Sequence, residues 1–225
     1  MVEMITFGSN GGTGQGYLAT PEGGAGPGVV VIQEWWGLVP HIQDVCDRMA
    51  AAGFTALAPD LYHGEKTTEP DDATKLMLAL RLDGAVKDMG GAAEALRERS
   101  TGDRVGVVGF CMGGGLALIL AARRPDVIGA CSAFYGAIPW PDAEPDWGGL
   151  SGPLQMHVGD KDAWAMNFME DLDGKLGALG KEREVFVYPG CDHAFFNDAR
   201  PEVYDADASA LAWERSLAMF RRGLG

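Results

Sequence analysis

The stretch RVGVVGFCMGGGLALILAA, residues 104–122, changes character at a single residue. Up to Phe110 it is a short apolar run of the kind that forms a strand buried on both faces; beyond Met112 it reads as a buried helix. Cys111 stands at the join. A strand giving way to a helix across G-x-C-x-G is the pattern of a strained turn that presents a nucleophile, with Gly109 and Gly113 leaving room where any Cβ would collide with a neighbour. A sulfur at a helix N-terminus also meets unpaired N–H groups and a dipole that favour thiolate. The uncharged run 105–122 has the length of a membrane span. Five glycines interrupt it, however, and strand and helix patterns flank it, so strand–turn–helix is the better reading. Cysteine is also among the residues most often buried for packing alone, so the rest of the chain has to choose between the two roles.

Working outward, similar apolar runs recur at 28–33, 54–59, 128–135, 153–158 and 184–189, separated by helical patterns at 40–52, 72–99, 112–124, 164–179 and 206–222. In the last, Ala210, Trp213, Leu217 and Phe220 fall on one face. Strand and helix alternating in this way predict an α/β sandwich with a mostly parallel sheet and helices on both faces. The N-terminal ITFG and QGYLA predict a short antiparallel addition at the sheet edge. Ligands in such folds bind beyond the carboxyl ends of the strands.

With 225 residues and 47% apolar content, residues 1–225 form one domain. The 32 acidic residues against 18 basic ones, net −14, exclude nucleic acid and anionic membrane as partners, since both need a basic face. The four cysteines, Cys46, Cys111, Cys131 and Cys191, show no zinc-type spacing, and no metal or organic cofactor is expected. The opening MVEMITFG has neither a basic nor an apolar signal segment, so free thiols in a reducing cytoplasm are expected, in a monomer or weak homo-oligomer.

A nucleophile needs a base, and the base an orienting acid. His193 lies in the loop directly after the final strand, which suits the chain order nucleophile, acid, histidine. His41 and His63 precede the nucleophile and His157 falls inside a strand. For the acid, HVGDKD offers Asp160 and Asp162 in the turn leaving the fifth parallel run; Asp192, adjacent to the histidine, is the weaker candidate. Turn aspartates commonly bond their own backbone, and physical reasoning alone does not choose between Asp160 and Asp162.

QEWWG (33–37), APDLY (58–62), GFCMGG (109–114), HVGDKD (157–162) and GCDHAF (190–195) together resemble the dienelactone hydrolase family, whose fold is the α/β-hydrolase fold. The resemblance implies a Cys111–Asp162–His193 triad, with Glu34 as a carboxylate that partners the resting thiol. It implies hydrolysis of a small-molecule ester or lactone through a thioester on Cys111. Met112, the residue after the nucleophile, and Trp35 would supply the oxyanion N–H groups. Glu34 stands between an apolar run and two tryptophans, where solvation is poor. Trp36, Trp140 and Trp164 follow strands and are candidates to line the pocket, as is Trp147.

In the family, an arginine four residues after the histidine holds the substrate carboxylate. Here that position is Asn197, which predicts a preference for neutral substrates, with Arg200, three residues further on, as the obvious substitute. Two rivals use the same residues differently. One is a non-hydrolytic thiol protein, a redox sensor or binding pseudoenzyme, with Cys191 as resolving thiol. The other is an acyltransferase.

Overall fold

The apolar runs do become the strands of one sheet. A computed structural model describes residues 1–140 and 143–224. The strands are β1 (Val2–Ser9), β2 (Gly12–Ala19), β3 (Pro27–Ile32), β4 (Thr55–Pro59), β5 (Thr101–Phe110), β6 (Ile128–Phe134), β7 (Leu154–Gly159) and β8 (Arg183–Tyr188). They lie in the order β1-β2-β4-β3-β5-β6-β7-β8. From β4 to β8 every pairing is parallel, while β1 and β2 form an antiparallel hairpin added to the β4 edge. The continuous apolar runs have their cause here: β4, β6 and β7 are buried along their whole length. The edges differ: β8 at one end and the β1–β2 hairpin at the other keep part of their residues in water.

Helices α1 (Pro40–Ala51), α2 (Pro70–Ala79), α3 (Leu82–Arg97), α4 (Met112–Arg123), α5 (Ala163–Ala178) and α6 (Ala206–Leu224) fill the connections. The single helix expected over 72–99 is two. Leu80 and Arg81 are extended between them, and neither a proline nor a glycine marks the break. The two halves do different work. Helix α3 is anchored through Ala85, Met89, Ala92, Ala93 and Leu96, whereas α2 buries only Ala73 and overhangs the carboxyl ends of the strands.

Helix α6 also differs from its apolar reading. Ala210 is exposed, and the buried stripe includes Ser209 and Ser216. Both hydroxyls are satisfied, Ser209 Oγ donating to the Phe195 carbonyl at 2.9 Å and Ser216 Oγ meeting Ser132 Oγ at 2.9 Å. A count of apolar residues passes over them.

Ser216 belongs to a polar pin through the sheet. His157, fully buried on β7, meets Tyr188 Oη through Nδ1 at 2.8 Å and Ser216 Oγ through Nε2 at 3.2 Å. Its ring stacks on Phe134 and Phe186. Burial, with Arg215 adding repulsion, depresses its pKa to about 3 from the ordinary 6.5. The fold therefore holds neutral imidazole: its contribution is complete above pH 6.5 and drains as pH falls toward 3. In His157→Phe the ring stack survives and the titration does not. Stability between pH 6.5 and 3 then falls less steeply, by up to about 1.4 kcal/mol per pH unit. Denaturant titrations across that range measure the slope, and a slope equal to the parent's rules out this role for His157.

Candidate active site

Strand β5 ends at Phe110, α4 begins at Met112, and Cys111 takes the whole change of direction, at φ 56° and ψ −122°. Positive φ at a residue with a side chain costs on the order of 1–3 kcal/mol, and neighbours must enforce it. Here the enforcement is backbone packing. A Cβ on Gly109 would lie 1.9 Å from the Gly113 carbonyl oxygen, and one on Gly113 would lie 2.4 Å from that of Gln33. The Cys111 N–H donates to the Phe134 carbonyl at 3.1 Å, tying the turn to β6 as well.

The sulfur is aimed into a cavity of about 390 Å³ at the carboxyl ends of the strands, lined by Glu34, Trp35, Met112, Asp162 and His193 among others. Asp162 caps α5, its Oδ1 accepting from the Ala165 N–H at 3.1 Å, while Oδ2 meets His193 Nδ1 at 2.5 Å. That leaves Nε2 for Cys111. Burial disfavours the imidazolium, yet the Asp162 hydrogen bond and the Cys111 sulfur outweigh it and raise the His193 pKa to about 10. Asp160 is occupied elsewhere, accepting from the Gly190 N–H at 2.8 Å. The geometry thus pairs the histidine with Asp162. Asp192 is exposed.

Glu34 is 1% exposed, and Asn197 Nδ2 donates to its Oε2 at 2.7 Å. Burial pushes the carboxyl up to about 7, against the pull of Asn197, His193 and Arg200 toward ionisation. Asn197 is therefore spent on Glu34 rather than presented to the cavity, which differs from the substrate contact expected of it. An amide donor is the right length to bridge the buried carboxylate to the loop after β8. Sequence reading also passed over Tyr135. It follows β6 at φ 38°, fully buried and 5.1 Å from the His193 ring. Burial first, then the Glu34 charge, hold its phenol well above the ordinary value. Only its place directly after a buried strand hinted at the site.

Trp35, Trp36 and Trp164 line the cavity, with Met77 of α2 above them. Trp140 does not: Pro139 before it lines the thiol cavity, but Trp140 borders a separate hollow with Arg81, Asp83 and Arg123. Trp147 is buried in a short 3-10 turn, bonded to Glu144. Arg200 does reach the cavity wall, with its guanidinium on Glu202 at 2.9 Å. Met112 opens α4, so its N–H is among those that a helix start leaves without a partner. Cys191 is buried, its sulfur 3.9 Å from the Pro189 carbonyl and its thiol pushed up to about 11, chiefly by burial. Among the described residues no His, Cys, Asp and Glu cluster suits a metal ion, and no helix is long and apolar enough to cross a membrane.

Comparison with known proteins bears on the family and the fold. The profile of the Dienelactone hydrolase family matches residues 15–224. "Protein usf" of Aquifex pyrophilus is 39% identical over 235 residues, covering 100% of both chains. A protein of Aquifex aeolicus provisionally named a carboxymethylenebutenolidase is 36% identical, with 98% of each chain covered. A Klebsiella pneumoniae crystal structure provisionally titled a dienelactone hydrolase superposes with a TM-score of 0.86 at 29% identity, covering 99% of each chain.

The Asn197 N–H favours ionised Glu34, so removing it must raise the carboxyl pKa further. In Asn197→Leu, the inflection that Glu34 imposes on alkylation of Cys111 by iodoacetamide moves up from near pH 7 by about one unit. Glu34→Gln abolishes it. A profile that stays put in both variants separates the Glu34–Asn197 pair from the thiol.

Proposed function

The chain belongs to the dienelactone hydrolase family, and from that premise we propose a hydrolase of small, neutral esters or lactones that works through a Cys111–Asp162–His193 triad. The observation that carries the reading is the 2.5 Å contact of His193 Nδ1 with Asp162, beside a thiol held on a strained helix-start turn. Cys111 Sγ attacks the acyl carbon, and the carbonyl π pair moves onto oxygen. The Met112 and Trp35 N–H groups receive that oxyanion. Collapse expels the alkoxide, which takes its proton from His193 Nε2, and leaves a thioester on Cys111. His193 then removes a proton from water; hydroxide adds to the thioester, the acid departs, and the thiolate is restored.

Glu34 acts before the first bond forms. A carboxyl that titrates near 7 accepts or returns the thiol proton at neutral pH with little free-energy cost. Thiolate leaves a tetrahedral intermediate more readily than an amine does, so amides return sulfur instead of breaking C–N and are poor substrates. The neutral preference rests on two occupied groups: Asn197 is bonded to Glu34 and Arg200 to Glu202, so a substrate carboxylate has to displace an existing partner. The four free cysteines suit a reducing compartment, and we infer a cytoplasmic enzyme.

Cys111→Ala and His193→Ala each lower ester kcat/KM by ~10³-fold or more, because triad members act as a unit. Asp162→Asn costs a large fraction of activity, while Asp160→Asn costs little. An inactive Asp160 variant beside an active Asp162 variant would overturn the assignment. For specificity, kcat/KM for a neutral aryl acetate exceeds that for dienelactone. A preference for dienelactone that disappears in Arg200→Ala hands the anion to Arg200 and ends the neutral-substrate reading.

A further inference from the structure

A second cleft, of about 480 Å³, lies against the first. Trp36 and Arg200 line both. Beneath them the Glu34–Asn197 hydrogen bond completes the partition, with Glu34 facing the thiol side and Asn197 the far side. The loop on the other wall is pinned to this partition, since the Thr67 N–H donates to the Trp36 carbonyl at 3.0 Å. The two spaces are thus neighbours across one tryptophan and one arginine, and each has the volume of an ordinary ligand pocket.

The lining of the second cleft fits one kind of guest. Val39, Pro40 and Pro70 give it apolar walls, and Thr67 and Thr68 add hydroxyls. Its charges are already matched: Arg200 is paired with Glu202, and burial lowers the His41 pKa, favouring neutral imidazole beside Asp198. An ionic group gains no free partner there, whereas hydrocarbon gains contact with a tryptophan face and two prolines.

We propose that this cleft is a second substrate subsite, which takes the neutral, apolar arm of an ester too long to be housed beside Cys111 alone. The arm passes Trp36 and Arg200, and Thr67 and Thr68 accompany its polar atoms. The inference rests on the ester-hydrolase reading and extends it from small esters to elongated ones.

The test uses two series of neutral esters, 4-nitrophenyl esters of increasing acyl length and alkyl acetates of increasing alcohol length. Thr68 and Ala199 are exposed residues on the lining. Thr68→Trp fills the cleft and Ala199→Asp charges it. In the parent, kcat/KM rises along at least one series, which identifies the arm as acyl or alcohol. In both variants the longest member of that series loses tenfold or more, while the acetate of the shortest alcohol stays within twofold. Equal loss at every length, or no loss at any, overturns the subsite. Should the parent hydrolyse no ester, the ester-hydrolase reading fails, and the cleft is judged separately by calorimetry. Cys111→Ala then binds octyl acetate, and adding Thr68→Trp weakens that binding tenfold; octyl acetate bound equally well with and without Thr68→Trp removes the proposal.

Discussion

The first turn of α4 rides directly on the end of β3, backbone against backbone, at Gly113. No side chain mediates this contact, so no rotamer change can loosen it. It sets the distance from the Cys111 turn to the residues that leave β3, Gln33, Glu34 and Trp35. The candidate nucleophile, its buried carboxylate and both candidate oxyanion donors are therefore placed by one approach of the glycine-rich start of α4 to the Ile32–Gln33 backbone. Side-chain packing adds the third element: Asp162, capping α5 after β7, reaches the loop after β8 and holds His193.

Glu34 is the expensive member of this arrangement. A carboxylate taken out of water costs several kcal/mol unless it is paired and hydrogen-bonded. Asn197, Arg200 and His193 each offset part of that cost, and the remainder appears as a pKa near neutrality rather than as a missing fold. The protein's net charge of −14 sits elsewhere, mostly on exposed side chains that salt screens within about 10 Å. Local partners, not the overall field, govern the buried carboxyl.

Much of this was legible in the sequence, for identifiable reasons. Strands buried on both faces leave unbroken apolar runs, and a strand–turn–helix nucleophile turn leaves glycines two residues to either side of Cys111. What stayed hidden was the work of residues whose chemistry has more than one use. Asn197 reads equally as a substrate contact or as a clamp on Glu34, and only the 2.7 Å hydrogen bond tells them apart. The break at Leu80–Arg81 has no proline or glycine, because change of direction over a cleft, not local propensity, produces it. Ser209 and Ser216 vanish from an apolar count though they are buried. Trp140 and Trp147 follow strands as Trp164 does, and position along the chain carries no information about which way a loop turns.

Among the described residues five non-glycine ones have positive φ, and Cys111, Tyr135 and Ala194 of these stand at or beside the candidate site. Each holds a conformation that glycine would adopt without strain, yet glycine would remove the candidate nucleophile at Cys111 and the phenol packed on His193 at Tyr135. The most comfortable sequence for this backbone is consequently not the one that catalyses. Selection for heat resistance alone would drift toward an inert protein, and improvement of this scaffold has to find its added stability away from the strand ends.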